Sequence, residues 1–181
     1  MKKVVAIVGM AGSGKSEVAR VFENNGFARI RFGDITDQEI KRRGLELNEE
    51  NERYVRQEMR KEHGMAAYAI LNLPIINKAL LSTSVVVDGL YSWEEYTLLK
   101  SRFEDDLYLV AVSASPKTRY QRLAGRKVRP LTHEQAAGRD SAEIEKTNKG
   151  GPIAMADFTI INESSLEELY GHTEKVVAEL K

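Results

Sequence analysis

The sequence predicts a three-layer α/β fold in which helices cover both faces of a five-stranded parallel sheet. Short apolar runs alternate with longer amphipathic segments along the chain, which is the pattern of a parallel sheet with helical crossovers. Residues 84–88 are almost wholly β-branched and apolar, as in a central strand that is buried on both faces. A chain of 181 residues with 42% hydrophobic residues is sufficient for one core, so we expect a single domain over residues 1–181.

The first predicted strand, residues 4–8, is followed by GMAGSGKS, which fits the G-x-x-x-x-G-K-[ST] pattern of a phosphate-binding loop, or P-loop. Glycines let successive backbone N–H groups approach a phosphate chain, and the following helix presents its positive end. Lys15 would reach the β- and γ-phosphates, and the hydroxyl of Ser16 would bind Mg²⁺. The motif predicts a P-loop NTPase fold with ATP phosphates bound by Gly9, Met10, Ala11, Gly12, Ser13, Gly14, Lys15 and Ser16.

A helix over residues 15–25 and a strand over residues 27–32 follow, and the strand ends at Gly33-Asp34. Sheets of this class bind ligands at the carboxyl ends of their strands, which makes Gly33 and Asp34 candidates for binding the second substrate. Residues 34–80 then form a highly charged helical insertion, which we expect to be broken near Gly44, near Gly64 and at Pro74.

Three arginines of this insertion, Arg53, Arg56 and Arg60, have the spacing that places them on one helical face. Two interpretations remain open. The face is solvated and paired with glutamates of the same segment, or one arginine turns inward to bind a phosphate, for which guanidinium is well suited. The neighbouring glutamates are Glu49, Glu50, Glu52 and Glu58.

The strand at 84–88 ends in Asp88-Gly89, and a carboxylate at this position either caps the next turn or helps to hold Mg²⁺. The remaining elements are a helix over 92–102, a strand over 106–113, a helix that begins after Ser115, a helix over 132–146, a strand over 158–161 and a C-terminal helix. A cationic cluster lies between two of these helices. It comprises Arg119, Arg122, Arg126, Lys127 and Arg129, and it requires carboxylates or a bound anion to neutralise it.

The composition excludes several classes of function. There are 27 basic and 27 acidic residues and a pI near 6.9, so we expect neither nucleic acid nor membrane as a partner. The absence of cysteine excludes disulfides, thiolate zinc sites and cysteine nucleophiles. The N-terminal apolar run has five residues, which is too short for a signal peptide, and we expect a cytoplasmic protein.

The stretch RLAGRKV at residues 122–128 resembles the lid entry of adenylate kinases, a family of nucleoside-monophosphate kinases. The resemblance implies that Arg122 stacks on the adenine of ATP and that Arg126 reaches the transferring phosphate. Arg139 resembles the arginine that returns to the phosphates from the far side of a short lid, residues 126–139.

A closer resemblance covers nearly the whole chain through GMAGSGKSEVARV, FGD, KRRGLELNEEN, VVVDGL, VAVSASPKTRYQRL and ADFTIINESSLEEL. These blocks resemble a mainly archaeal family of adenylate-kinase-related proteins, which is also similar to dephospho-coenzyme-A kinases. The latter similarity implies that Asp34 accepts the proton of an acceptor hydroxyl. Gly33 and Gly89 would flank the acceptor.

The two arginines that clamp the acceptor phosphate in nucleoside-monophosphate kinases are replaced here, the first by Asp37 and the second by Tyr91 or Ser92. Arg56 or Arg60 would take their place, or the acceptor is a hydroxyl compound. We expect Mg²⁺-dependent phosphoryl transfer from ATP to a nucleotide or nucleotide-like small molecule. The alternatives are an ATPase or nucleotide-dependent switch and a binding protein without turnover. The chain has no Asn-Lys-x-Asp motif for guanine, which favours ATP over GTP.

Overall fold

The computed structural model describes residues 2–181 and contains a sheet of five parallel strands with helices on both faces. The strands are β1 (Val4–Val8), β2 (Ala28–Arg31), β3 (Val85–Asp88), β4 (Leu107–Ser113) and β5 (Phe158–Ile161). The helices are α1 (Lys15–Asn24), α2 (Asp34–Arg42), α3 (Glu49–His63), α4 (Ala67–Leu80), α5 (Trp93–Phe103), α6 (Pro116–Ala124), α7 (His133–Glu145), α8 (Gly150–Ala154) and α9 (Leu166–Leu180). The predicted fold class is confirmed.

The first strand of the chain lies at the centre of the sheet, because the strand order is β2, β3, β1, β4, β5. In the parallel register, Val4 of β1 lies opposite Val85 of β3 on one side and Leu107 of β4 on the other. The chain thus leaves β1 toward β2 and β3 first and returns across it to build β4 and β5. Ligands bind at the carboxyl ends of strands where connections diverge in this way, and the P-loop occupies that position.

Two hydrophobic cores lie on opposite faces of the sheet, as the alternation of side chains along a strand requires. Val4, Ala6 and Val8 belong to the core that α4 and α5 cover. Val5 and Ile7 belong to the core under α1 and α9. All five side chains are completely buried, so β1 is held firmly at the point from which the P-loop emerges.

The insertion between β2 and β3 consists of α2, α3 and α4. The predicted break at Pro74 is wrong, because α4 continues through this residue. Proline removes the N–H group that would bond to the carbonyl of Ile70, but Ile70 is 43% exposed, so solvent can satisfy that carbonyl. The predicted lid, residues 126–139, is an irregular segment followed by the first part of α7. The short helix α8 and a 3-10 turn, Glu104–Asp106, were not predicted.

Several helices begin at the caps that the sequence predicts. The Ser115 side chain accepts from the backbone N–H of Thr118 at the start of α6, and Ser165 does the same for Glu168 at α9. The hydroxyl of Thr132 also caps α7, as part of a complete capping box that was not predicted. In residues 2–181, no helix combines the length and the apolar character needed to cross a membrane.

Candidate active site

The P-loop between β1 and α1 is held by close backbone packing. Gly9 has a φ of 151°, and a Cβ at this position would overlap the carbonyl oxygen of Val112 in β4. Gly14 has a φ of 105°, and a Cβ there would overlap the side-chain amide of Asn162. That amide donates a hydrogen bond of 2.8 Å to the carbonyl of Ser13. Only glycine fits both positions, so the loop motif is also required by the packing of the sheet around it.

Lys15 is curled into the loop, where its Nζ donates to the carbonyl of Met10 at 3.0 Å. Burial and, to a smaller extent, the positive charge of nearby Lys149 lower the pKa of this ammonium to about 7. The carbonyl is a neutral acceptor and does not balance the charge. An anion bound at the loop would therefore stabilise the protonated form of Lys15 strongly.

Ser16 and Asp88, the two predicted metal ligands, lie next to each other at the carboxyl ends of β1 and β3. The Ser16 hydroxyl is 3.3 Å from Oδ1 of Asp88. Arg29 binds the other carboxylate oxygen, with its Nη2 at 2.5 Å and its Nε at 3.2 Å. A hydroxyl and a carboxylate are donors that suit Mg²⁺, which commonly completes its octahedral shell with phosphate oxygens and water. The donor chemistry thus fits the predicted ion, with Arg29 holding Asp88 in place.

A cleft of about 1100 Å³ opens beside the P-loop and extends between α3 and α7. Ten predicted site residues line it: Ala11, Gly12, Lys15, Ser16, Gly33, Arg56, Arg60, Asp88, Arg126 and Arg139. Seven others are not among the lining residues: Gly9, Met10, Ser13, Gly14, Asp34, Gly89 and Arg122. The structure therefore brings to one cavity half of the predicted P-loop residues, both predicted metal ligands, two of the three predicted lid arginines and two arginines of the helical insertion.

The predicted lid arginines differ in how they are engaged. Arg139 is bound by carboxylates on both sides, with its Nη1 3.0 Å from Glu49 and its Nε 3.2 Å from Glu143. Arg126 is exposed on the cleft and makes no ion pair within residues 2–181. Arg122 lies behind the loop, where its Nη2 is 3.4 Å from the Asn162 side-chain oxygen. Arg126 is thus the lid arginine most readily available to a bound anion.

The residues of α3 that line the cleft include both arginines that were predicted to bind the acceptor. Arg56 contacts Glu49 at 2.6 Å and Glu52 at 3.0 Å, so its charge is matched within the chain. Arg60 has no carboxylate partner in the described part of the chain; its guanidinium lies 5.6 Å from the centre of the Tyr68 ring. Its buried Nε also lacks a hydrogen bond there. The predicted pairing with glutamates thus holds for Arg56, although its side chain is only 18% exposed, and Arg60 stays the candidate for the predicted phosphate-binding arginine.

Two aspartates follow β2, and they occupy different positions. The side chain of Asp34 is 52% exposed and accepts from Arg31 at 2.7 Å, outside the cleft. Asp37, one helical turn further along α2, lines the cleft and accepts from Arg31 at 2.8 Å. Asp37 also pairs with Arg129 of the predicted lid, at 3.2 Å. The carboxylate that faces the cavity is therefore the one that replaces the expected arginine.

The lid and the insertion are connected by ion pairs that were not predicted. Arg129 binds Glu52 as well as Asp37, and it does so from a left-handed backbone conformation with a φ of 57°. Such a conformation costs a residue with a Cβ about 1 kcal/mol or more, which these contacts offset.

Arg119, a member of the predicted cationic cluster, is buried and bound by Asp140 at 2.6 and 2.9 Å. It donates to the carbonyl of Ala11 at 3.1 Å and so supports the P-loop rather than facing a ligand.

A buried pair at the floor of the cleft, Lys149 and Glu143, was also missed. Glu143 could have been found, because it follows Arg139 by four residues, which is the spacing of an ion pair on one helical face. No sequence pattern indicated Lys149, because it lies in a glycine-rich turn and only the packing of α8 brings it to the cleft.

Sequence comparisons agree with this architecture. A model of the AAA domain matches residues 5–146, which include the P-loop and both metal-ligand candidates. A UPF0200 protein of Thermococcus kodakarensis is 39% identical over 98% of this chain and 97% of its own length. One from Pyrococcus furiosus is 36% identical over 97% of this chain and 96% of its own. This chain belongs to the UPF0200 family and carries the AAA domain. The predicted resemblance to an archaeal P-loop family is confirmed.

Solved structures of the same fold include small-molecule kinases. A gluconokinase from Sinorhizobium meliloti superposes with a TM-score of 0.61 at 16% identity, covering 98% of this UPF0200 chain and 93% of that one. A shikimate kinase from Bacteroides thetaiotaomicron has a TM-score of 0.63 at 12% identity, covering 98% of each chain. At these identities the likeness concerns the fold alone. It agrees with the P-loop fold that the sequence predicts.

Proposed function

We propose that this protein is a Mg²⁺-dependent phosphotransferase that moves the γ-phosphoryl group of ATP to a small, nucleotide-like acceptor. The observation that carries the proposal is the size and division of the cleft. Its volume of about 1100 Å³ exceeds the roughly 300–1,000 Å³ of a site for one drug-sized ligand. Residues of the P-loop and of α3 both line it, so a donor and an acceptor would find room there together.

The residues near the P-loop are suited to hold the donor. Lys15 would leave the Met10 carbonyl and bind the β- and γ-phosphates, which restores an anionic partner to a buried ammonium. Ser16 and Asp88 would hold Mg²⁺, which neutralises charge on the phosphate oxygens. Arg126, which is unpaired within residues 2–181, would close over the transferring group.

Phosphoryl transfer forms a bond between an acceptor oxygen and the γ-phosphorus and breaks the bond from that phosphorus to the bridging oxygen, releasing ADP. A hydroxyl acceptor also loses a proton, which requires a nearby base. Asp34 was predicted for this role, but Asp37 lines the cleft and Asp34 does not. We therefore assign the base to Asp37 for a hydroxyl acceptor, with Arg31 orienting its carboxylate at 2.8 Å.

The acceptor would bind on the α3 wall through Arg60, because the charge of Arg56 is already matched by Glu49 and Glu52. The small-molecule kinases of the same fold support an acceptor smaller than a protein.

A second function, an ATPase or nucleotide-dependent switch, is favoured by a different feature. Arg129 binds carboxylates of the insertion, so lid and insertion are already connected without an acceptor.

One experiment separates the two functions. ATP consumption is measured with Mg²⁺, alone and with AMP, other nucleoside monophosphates, dephospho-coenzyme A and small hydroxy acids, and phosphorylated products are detected by mass spectrometry. A new phosphorylated product supports the phosphotransferase and identifies its acceptor. Free phosphate alone, unchanged by every acceptor, supports the ATPase or switch.

Variants show whether the cleft performs the reaction. Lys15→Ala is expected to abolish ATP turnover, since it removes the cation that would bind the β- and γ-phosphates. Lys175→Ala, on the exposed side of α9, removes the same charge far from the loop and is expected to leave turnover unchanged. Equal rates in the two variants would contradict the proposed role of the P-loop.

A further inference from the structure

Lys149, in the turn between α7 and α8, is buried but lines the cleft. The residue is 1% exposed, and its Nζ donates to Oε2 of Glu143 at 2.9 Å. The same ammonium lies 5.3 Å from the centre of the Tyr91 ring. An ammonium has three N–H donors. One is matched by a carboxylate, and the described residues offer no hydrogen-bond acceptor for the other two.

The surroundings of Lys149 contain more positive than negative charge. Glu143 is shared, because its other oxygen accepts from Arg139 at 3.2 Å. Lys15 is close enough that its charge and that of Lys149 disfavour each other. Among the other carboxyl groups of this region, Asp88 is engaged by Arg29, and Glu49 is shared by Arg56 and Arg139. Burial raises the pKa of nearby Glu95 to about 7, which weakens it as an ionic partner. Within the described residues Lys149 thus has one ion-pair partner, Glu143, which it shares with Arg139 in a place where water can do little to screen the charges.

If Lys149 and Glu143 served only to stabilise the fold, a buried ion pair would not be needed at this position. Burial of an ammonium is costly, and replacement of a buried ion pair by apolar side chains is often neutral or stabilising. The pKa of Lys149 is lowered, chiefly by burial, which shows that Glu143 only partly compensates for the loss of water. An anion with two or more charges, bound in the cleft, would complete the balance.

We propose that Lys149 is a second phosphate-binding lysine, which Glu143 holds in position to contact the transferring phosphoryl group opposite Lys15. The inference rests on the proposed function and adds to it a cation on the floor of the cleft. In this role Lys149 is a catalytic residue and Glu143 is a positioning residue.

The test does not require the acceptor. Binding of Mg²⁺ with ADP, and of Mg²⁺ with ADP and aluminium fluoride as a mimic of the transferring group, is measured by titration calorimetry. Lys149→Met keeps the length of the side chain without its charge. It is expected to bind ADP within about twofold of the unsubstituted protein and to lose roughly tenfold to a hundredfold in affinity for the fluoride complex, as expected for one charged hydrogen bond.

Lys175→Met is the matched control, because Lys175 lies on the exposed side of α9 and is not among the residues that line the cleft. It is expected to bind both ligands normally. If Lys149→Met fails to fold, the double variant Glu143→Gln with Lys149→Met removes both charges and keeps the packing. Arg139 still has Glu49 as a partner in that variant.

The outcomes distinguish this inference from the proposed function. An unsubstituted protein that binds neither ADP nor the fluoride complex would overturn both. If the unsubstituted protein binds nucleotide and Lys149→Met has an unchanged affinity for the fluoride complex, only the role of Lys149 would be overturned. An equal loss of affinity for ADP and for the fluoride complex would also overturn it, because the lysine would then act on the bound nucleotide as a whole.

Discussion

Replacement of Glu95 by glutamine is expected to remove a large part of the pH dependence of stability. Glu95 is completely buried in the first turn of α5, where one oxygen accepts from the backbone N–H of Tyr91 at 2.7 Å. Its other oxygen has no hydrogen-bond partner in the described part of the chain. Burial raises the pKa of this carboxyl from 4.5 to about 7, while the charges of Arg60 and Lys149 oppose the rise.

The direction of the effect follows from the raised pKa. A carboxyl that holds its proton more tightly in the folded state stabilises the fold fully below its unfolded pKa, near 4.5, and this contribution is lost as the pH rises through about 7. The difference between these two pKa values corresponds to about 3 kcal/mol of unfolding free energy. Glu95→Gln mimics the protonated form and does not titrate, so its unfolding free energy is not expected to show this fall as the pH rises.

Urea unfolding followed by circular dichroism, at a series of pH values from about 4 to 8, measures the effect. The unfolding free energy of Glu95→Gln minus that of the unsubstituted protein is expected to grow by about 3 kcal/mol across the series. Glu179→Gln, an exposed residue of α9, is the control and is expected to follow the unsubstituted protein throughout. Parallel curves for Glu95→Gln and the unsubstituted protein would refute the reasoning, since Glu95 would then have an ordinary pKa.

Three further substitutions test other parts of the structure. Asp140→Ala leaves the buried charge of Arg119 without its carboxylate and is expected to lower the unfolding free energy by about 3 kcal/mol in urea titrations; a loss below 1 kcal/mol would contradict this assignment. Gly9→Ala places a Cβ against the carbonyl oxygen of Val112, so a clear fall in melting temperature is expected, and an unchanged one would show that the loop can shift. Arg60→Gln is expected to raise the KM of the acceptor, once identified, by roughly tenfold or more without changing the KM of ATP, and equal changes in both would place Arg60 elsewhere.

Local patterns in the sequence were sufficient for the fold and for the donor side of the site. The strands, the P-loop and the caps at Ser115 and Ser165 are features of short segments, and the structure contains them where they were predicted. The loop glycines follow from the same motif. A backbone that must approach a phosphate closely has few alternatives, so the residue types alone indicate the geometry.

The residues of the acceptor side depended on tertiary structure. Asp34 and Asp37 are three residues apart in one helix, and only the direction of α2 against the sheet decides which of them lines the cleft. Arg56 and Arg60 also lie on one helical face. Arg56 has carboxylates within ion-pair distance, whereas Arg60 lies over the Tyr68 ring, and this difference is set by the folded chain. Helical spacing identifies a face but not its environment.

The sequence by itself therefore determined the class of fold, the buried interior strand that ends at Asp88, and the P-loop over residues 9–16. Only the tertiary structure decided that Arg119 is neutralised by Asp140, and that Lys149 lies at the floor of the cleft with Glu143. The physical reason is the range of the interactions. Backbone conformation and capping are fixed within a few residues, whereas the partner of a buried charge is set by segments that meet only when the chain is folded.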